Sequence, residues 1–271
     1  MFPRHPRSPK PCLAANTLHM RVTIHPPARR RASFLLALLL VSGVLVVAFL
    51  TLDQHWQWAG VASRWRLYLA GWLNTLAIAA IALPLSCVLG LAFALARRAA
   101  FLPLRYAVQI CVELTRGAPL LVQIYLYFYV FAQVLHLDNR YILGPVILAT
   151  FTGAYISELI RAGIESIGRS QLESARAIGL TTAQTYRHVI FPQAIRQILP
   201  GLAGQFVSLV KDSSLLSIIA INEFTQAGTN VASYTAAPFE SHLPLALGYL
   251  IITIPISLWT QRLEKRARFE T

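Results

Sequence analysis

The chain has 271 residues and carries 24 Lys and Arg against 11 Asp and Glu, so its formal net charge is +13. Only 13% of the residues are charged and 56% are hydrophobic, whereas soluble domains carry about 25% charged residues. This composition argues against a soluble protein, and the positive charge needs no nucleic acid to explain it, because Lys and Arg accumulate in the cytoplasmic loops of membrane proteins. Cys12, Cys87 and Cys111 have no metal or redox spacing, so they predict neither a disulfide framework nor a metal site.

The N-terminal region has a basic part and an apolar part. Residues 1–33 are basic and proline-rich, and we expect them to form a disordered cytoplasmic tail. Phe34–Leu52 is apolar and long enough to cross a bilayer as a helix. A cleaved signal peptide is the alternative, but this run is long for one and lacks a convincing small-residue cleavage site. We therefore predict an uncleaved transmembrane helix at 34–52, with translation starting at Met1 or at Met20.

Five further apolar segments are close to or above the roughly 20 residues that a membrane-spanning helix needs. The predicted fold is therefore an all-α membrane protein with about six transmembrane helices. With the N-terminus inside, 19 Lys and Arg lie in inner segments and only 3 in outer loops, which places both termini in the cytoplasm. The five segments are Leu67–Ala96, Leu104–Leu135, Ile142–Ile160, Gly201–Ile221 and Leu243–Thr260.

The longest inner connection, residues 161–200, has helical signals of its own. Ser170 with Glu173 and Thr181 with Gln184 each fit a capping box, which marks the start of a helix. Gly179 lies between the two predicted helices, where a left-handed residue ends the first one. Pro192 is expected to limit the second helix. The segment therefore predicts two short helices joined by a glycine turn.

Two helices broken at a glycine also resemble the helix-turn-helix of DNA-binding proteins. A DNA-binding domain needs a core of at least three helices, however, and this segment returns to the membrane within about 40 residues. It carries five Arg, none adjacent to another, which is a thin footprint for DNA phosphates. A DNA-binding regulator stays as a weaker alternative, and an amphipathic loop lying on lipid headgroups is another.

The same segment carries a family resemblance. Glu173-Ser174-Ala175, then Gly179, Val189, Phe191 and Pro192, closely match the signature E-A-A-x3-G-x9-I-x-L-P of permease subunits of type I ATP-binding-cassette importers. Ser174 replaces the usual alanine, and Gly204 stands where asparagine is common. Three further motifs resemble the polar amino-acid branch of that family: WLNTL at 72–76, ELTRGAPLLVQ at 113–123 and YISELIRAGI at 155–164.

The resemblance covers about residues 69–262 and implies a five-helix permease domain, with the 34–52 helix as an addition and residues 263–271 as a cytoplasmic tail. It implies that the 161–200 segment couples the permease to a cytoplasmic ATPase dimer. The other implied partners are a periplasmic substrate-binding protein and a second permease subunit, identical or related, in the inner membrane. The implied coupling residues are Glu173, Ser174, Ala175, Gly179, Val189 and Pro192.

The resemblance implies transport rather than catalysis. The chain has no G-x-x-x-x-G-K-[ST] phosphate loop, so we expect no catalytic residue, no metal and no cofactor in this chain, with ATP and Mg²⁺ bound by the partner ATPase. The implied function is import of polar or charged amino acids, or related compounds, by alternating access. A secondary transporter that needs no ATPase is the alternative, and the substrate itself is left open.

Several polar residues fall inside the predicted spans, where charges are costly and usually face a cavity or a partner. Glu113 and Arg116 are three residues apart and could neutralise each other. Glu158 lies beside Arg161. These groups either line a translocation pathway or pair between helices and fix the bundle. The candidate pathway or gate residues are Glu113, Arg116, Gln123, Glu158, Lys211, Asp212, Ser213 and Ser214.

Overall fold

The computed structural model describes residues 27–50, 56–134, 136–137 and 139–268, and all regular secondary structure in these ranges is helical. The chain divides into two compact units, Met1–His55 and Trp56–Thr271. In the first unit, helix α1 spans Pro27–Leu50, so it begins before the predicted start at Phe34. The rest of the predicted tail, residues 1–26, lies outside the described residues.

The second unit contains eleven α-helices in its described ranges, together with two π-helical turns and one 3-10 helix. The π turns are Tyr127–Phe131 and Tyr186–Ile190, and the 3-10 helix is Ser213–Ile219. The α-helices are α2 Trp58–Ala62, α3 Trp65–Ala96, α4 Leu102–Gly117, α5 Leu120–Leu126, α6 Ala132–Val134, α7 Arg140–Glu165, α8 Arg169–Ala177, α9 Thr182–Thr185, α10 Phe191–Asp212, α11 Phe224–Thr235 and α12 Pro238–Arg268.

Four helical stretches in the described ranges are long and apolar enough to cross a membrane. They contain α3, α7, α10 and α12, which correspond to four of the predicted spans. The predicted span Leu104–Leu135 is not one straight helix, because α4 and α5 meet at a bend of 118°. Counting this bent pair as one span brings the total to five; the predicted count of six is not confirmed. Pro119 is the N-cap of α5, and a proline there ends the preceding helix.

The most extensive packing between helices in the described ranges is that of α3 against α7, which cross at small residues. A Cβ added at Gly90 of α3 would lie 2.6 Å from Cγ2 of Ile156 on α7. A Cβ added at Gly153 of α7 would lie 3.2 Å from the backbone nitrogen of Gly90. The two backbones therefore approach as closely as glycine permits, as membrane helices do when small residues line their interface.

The main apolar core lies between α3, α5, α7 and the end of α10. It includes Ile78, Ile124, Leu148, Leu209 and Leu216, all buried. Most other large apolar side chains of the helices are exposed, as expected where the surrounding solvent is lipid rather than water. The core therefore holds one end of α10, including the first part of the 3-10 helix, against the α3–α7 pair.

The segment Asn222–His242, between the predicted spans Gly201–Ile221 and Leu243–Thr260, contains the helix α11. Glu223 caps this helix: its carboxylate accepts hydrogen bonds from the backbone N–H groups of Thr225 at 2.8 Å and Gln226 at 2.7 Å. The helix packs between α3 and α12, since a Cβ at Gly71 would lie 2.7 Å from the Cβ of Ala227 and a Cβ at Gly228 would lie 2.6 Å from Cδ1 of Leu245 on α12. This segment is thus a docked helix rather than a free loop.

Candidate functional site

The connection between α7 and α10 contains the predicted glycine turn between two helical segments, of which only the first, α8, is a separate short helix. Gly179 ends α8 with a φ of +81°, so the predicted left-handed residue is confirmed. The Gly179 N–H donates to the carbonyl oxygen of Arg176 at 3.0 Å, and the Leu180 N–H donates to that of Ala175 at 3.1 Å. A Cβ at Gly179 would meet nothing within 4 Å, so backbone conformation, not space, requires glycine here.

One of the two predicted capping boxes forms and the other does not. The Gln184 N–H donates to Thr181 Oγ1, and the Thr181 N–H donates to Gln184 Oε1, at 3.3 and 2.9 Å. The box predicted for Ser170 and Glu173 is wrong, because α8 begins after Gly168 and no side chain caps it. The preceding residue, Ile167, is buried in an apolar cluster with Ile190 and Ala194, and this anchor sets the earlier start.

The α8 helix has a buried side and an exposed side. Ala175 is buried, whereas Glu173, Ser174 and Ile178 are exposed, Ile178 to 77%. The exposed side of α8 therefore carries a large apolar side chain as well as a carboxylate and a small polar side chain. The exposure of Ile178 depends on which side of α8 packs on the core, so local sequence signals do not predict it.

The remaining predicted coupling residues lie at the start of a continuous helix. Val189 is half-buried in the π turn and Pro192 is exposed in the first turn of α10. The prediction that Pro192 limits the second helix is wrong, because the chain stays helical from Thr182 to Asp212. The π turn before it changes the hydrogen-bond spacing of the helix, and a proline that follows such a turn breaks no regular α-helical bond.

Glu158 is the centre of an ion-pair network at one end of the bundle. Its carboxylate accepts a hydrogen bond from Arg97 of α3 at 3.0 Å and lies 3.6 Å from Nη1 of Arg116 of α4. It also pairs with Arg161, one turn along α7, and Arg161 pairs in turn with Glu165. The predicted neighbour Arg161 is confirmed, and Arg97 is a partner that sequence reasoning missed because it lies 61 residues away.

The predicted pairing of Glu113 with Arg116 is wrong. Glu113 lies 4.0 Å from Arg97 instead, and Arg116 turns toward Glu158. The Arg116 guanidinium also lies over the Tyr155 ring, 5.5 Å from its centroid. Arg116 pairs with residues of α7 because α7, which carries Glu158 and Tyr155, packs directly against α4. An ion pair three residues apart on one exposed helix face would add little to stability.

Gln123 is buried and bonds to the bend between α4 and α5. Its side-chain nitrogen Nε2 donates to the carbonyl oxygens of Thr115 at 2.7 Å and Ala118 at 2.9 Å. Both carbonyls lie where α4 ends and lose their helical partners. Gln123 therefore stabilises the 118° bend.

The predicted polar interruption of a span lies at a change of helix type rather than in the middle of a straight span. It comprises Lys211, Asp212, Ser213 and Ser214. Here α10 ends and the 3-10 helix Ser213–Ile219 begins. Ser213 is buried and its hydroxyl donates to the carbonyl oxygen of Val210 at 2.8 Å, whereas Lys211 is exposed. The described structure therefore presents Lys211 on the outside of this single chain.

The structure also places a buried carboxylate at the opposite end of the bundle from Glu158. Glu223 is fully buried, and besides its two backbone donors it accepts a hydrogen bond from the Tyr249 hydroxyl at 2.9 Å. Burial raises the pKa of the Glu223 carboxyl above its ordinary value, and the hydrogen bonds from Thr225, Gln226 and Tyr249 oppose that rise. Sequence reasoning missed this helix start because glutamate is not among the residues that ordinarily cap a helix.

Comparison with known proteins identifies the family. Residues 86–269 match the model of a family described as binding-protein-dependent transport system inner membrane component. The chain is 39% identical over 201 residues to a probable glutamine ABC transporter permease protein of Bacillus subtilis, covering 74% of this chain and 93% of that one. It is 30% identical to the glutamine transport system permease protein of Escherichia coli K12, covering 79% of this chain and 99% of that one.

A solved structure resembles the chain over the same share of its length as the Escherichia coli relative. A crystal structure of an amino acid ABC transporter with histidines superimposes with a TM-score of 0.73 at 30% identity, covering 79% of this chain and 100% of that chain. The superposition therefore extends over all of the solved chain.

Proposed function

This chain belongs to the family of binding-protein-dependent transport system inner membrane components, and from that premise we propose that it is the permease subunit through which an ATP-binding-cassette importer moves amino acids across the cytoplasmic membrane. The observation that carries the proposal is the similarity to amino-acid permeases over nearly their whole length, 93% and 99% of two relatives. The substrate class follows from those relatives, and polar or charged amino acids fit it best.

We place both termini in the cytoplasm. The cations of the predicted inner loops support this orientation, because Arg97, Arg98, Arg105 and Arg161 line one cavity at one end of the bundle. Arg66 and Arg140 stand at the other ends of α3 and α7. An inner end rich in arginine is the arrangement that the positive-inside rule favours.

We propose that α8 is the contact with the partner ATPase, which binds ATP and Mg²⁺. Three features of the helix support this: the exposed Ile178, the exposed Glu173 and the left-handed Gly179 that sets the direction of the turn. A short helix with one exposed apolar side chain and one charge suits a groove in a second protein, where a few residues supply most of the binding energy.

The exposed Lys211 supports a role at the passage. A second permease subunit would cover part of the outer surface of this chain, and a polar break at the end of α10 would then face the space between the two. We propose that Lys211 and Ser214 line the pathway there, with a substrate-binding protein docking at the end that contains α11. If Lys211→Met takes up labelled amino acid at the wild-type rate and is expressed normally, Lys211 is not part of the pathway.

The experiment that tests the proposed function is affinity purification of the tagged chain from its own cells in mild detergent. The wild type is compared with Glu173→Lys and Gly179→Asp, with the exposed His188→Ala as the control. We expect an ATPase subunit to co-purify with the wild type and with His188→Ala, and to be lost from both α8-region variants.

Two outcomes would contradict the proposal. Uptake that survives deletion of every co-purifying ATPase would favour a secondary transporter. Retardation of DNA by the purified chain, abolished by changes in α9, would favour a DNA-binding regulator.

A further inference from the structure

A cavity of about 730 Å³ opens at the end of the bundle where α3, α4, α7 and the start of α10 meet. We call it the inner-end cavity. Its polar wall comes from the end of α3, one side of α4 and the last turns of α7, and its apolar wall comes from α3 and α10. The residues that carry the argument are Leu91, Leu95, Arg98, Arg105 and Glu113.

The charges of this wall do not balance locally. The three carboxylates of the wall, Glu113, Glu158 and Glu165, are each paired with Arg97 or Arg161. The guanidinium groups of Arg98 and Arg105 make no hydrogen bond or ion pair with any other described residue. Two cations that no carboxylate neutralises therefore border one side of the cavity.

The two unpaired arginines flank the short connection between α3 and α4. Arg98 directly follows the C-cap of α3, and Arg105 lies in the first turn of α4. A planar guanidinium donates two parallel hydrogen bonds to a phosphate, so a pair of arginines on one wall matches a phosphodiester group.

An exposed apolar strip leads away from the arginines along α3. Leu95, Leu91, Val88 and Ile81 are exposed to between 51% and 64%, and their spacing of three, four and seven residues places them on one side of the helix. From Ile81 to Leu95 the strip is roughly 21 Å long at 1.5 Å per residue. That exceeds the roughly 15 Å of hydrocarbon in one leaflet of a bilayer.

We propose that the inner-end cavity binds an anionic phospholipid of the cytoplasmic leaflet, with its phosphodiester between Arg98 and Arg105 and its acyl chains along the α3 strip. A soluble anion would use the arginines and leave the apolar strip uncovered. A second copy of this chain would cover the strip, but a need for apolar contact alone does not account for two unpaired cations beside it. An amphiphile with a negative head satisfies both observations, and basic pockets on the cytoplasmic side of membrane helices bind such headgroups.

The test is a titration of the purified full chain in mild detergent with phosphatidylglycerol and, separately, with phosphatidylcholine, followed by native mass spectrometry. We expect tighter binding of phosphatidylglycerol in the wild type. Each arginine at a membrane surface changes the affinity about fivefold, so the double variant Arg98→Gln with Arg105→Gln should bind it about 25-fold more weakly. The matched control removes two arginines at the other end of the bundle, Arg66→Gln with Arg140→Gln, and should bind it as the wild type does.

Three results would overturn the proposal. The first is unchanged affinity in the cavity variant, and the second is an equal loss in the control. The third is displacement of the lipid by excess inorganic phosphate, which would identify a site for soluble phosphate instead. If the double variant does not elute as a folded species, the single variants Arg98→Gln and Arg105→Gln are titrated, each with an expected loss of about fivefold.

Discussion

A methyl group added at Gly90 tests the close crossing of α3 and α7. In Gly90→Ala the new Cβ would lie 2.7 Å from the Cβ of Ile156 and 3.0 Å from the carbonyl oxygen of Gly153. The Ile156 Cβ is attached to the backbone and cannot rotate away, so the helices must separate by roughly 0.7 Å to restore ordinary contact. Overpacking of this kind costs about 1–3 kcal/mol, and replacing glycine by alanine in a helix returns about 1 kcal/mol.

Because the Cβ of Ile156 cannot rotate away, the upper part of that range applies, about 2–3 kcal/mol. After the gain of about 1 kcal/mol, we expect Gly90→Ala to be destabilised by about 1–2 kcal/mol, which corresponds to a fall in Tm of about 2–8 °C for a chain of this size. The measurement is thermal unfolding in detergent followed by intrinsic fluorescence. Gly204→Ala is the matched control, since it is also inside a long helix and its Cβ would meet nothing within 4 Å. We expect that variant to be as stable as the wild type or slightly more stable.

Combining Gly90→Ala with Ile156→Ala sharpens the test. The second change removes the Cγ2 atom that would lie at 2.6 Å but leaves the Cβ at 2.7 Å, so it should relieve only part of the strain. A Gly90→Ala protein that unfolds at the wild-type temperature would refute the close approach of the two backbones. Equal destabilisation by Gly204→Ala would show that glycine matters here for a reason other than packing.

Three further predictions concern charge and backbone conformation. Glu158→Gln leaves three arginines without their shared carboxylate. Because the Glu158 side chain is only 20% exposed, we expect the free energy of unfolding in detergent to fall by about 2–4 kcal/mol. The control is Glu113→Gln, whose side chain is 57% exposed and whose replacement should change that free energy little. Because folding raises the pKa of Glu223, the contribution of this carboxyl to stability is full below its pKa in the unfolded chain and is lost as the pH rises through its pKa in the folded chain. Above about pH 4.5, the Tm of the wild type should therefore fall more steeply with pH than the Tm of Glu223→Gln. Equal slopes would contradict this. Gly179→Ala should lose ATPase co-purification more than Gly179→Asn, because asparagine tolerates a φ of +81° better than alanine; equal retention by both variants would show that the left-handed turn is not needed.

The sequence predicts the helices that depend on local signals. The apolar runs of α3, α7 and α12 are long enough to be recognised by length alone. Gly179 marks the turn because glycine readily adopts a positive φ, and Thr181 marks the cap because its side chain bonds to the first turn of the helix. These features require no knowledge of which helices are neighbours. The first helix and the glycine turn of the 161–200 connection were predicted for the same reason, whereas the predicted end of the second helix at Pro192 was wrong.

The misses involve contacts between distant residues. The partner of Glu158 on α3, Arg97, is separated from it by 61 residues, so no spacing rule could connect the two. A proline such as Pro119 indicates where a helix breaks, but no local signal gives the angle of 118°, at which Gln123 bonds back to Thr115 and Ala118. The start of α8 was misplaced because a buried Ile167, rather than a serine cap, sets it.

The continuity of the chain from Thr182 to Asp212 has a mechanical consequence. At 1.5 Å per residue this helical rod is about 45 Å long, with the turn at Gly179 near one tip and Lys211 at the other. A tilt of roughly 10° about one tip would sweep the opposite tip through about 8 Å, more than one helical turn. Because the apolar core holds the Lys211 end of the rod, a displacement of that size at α9 would require only a small rotation at the polar break.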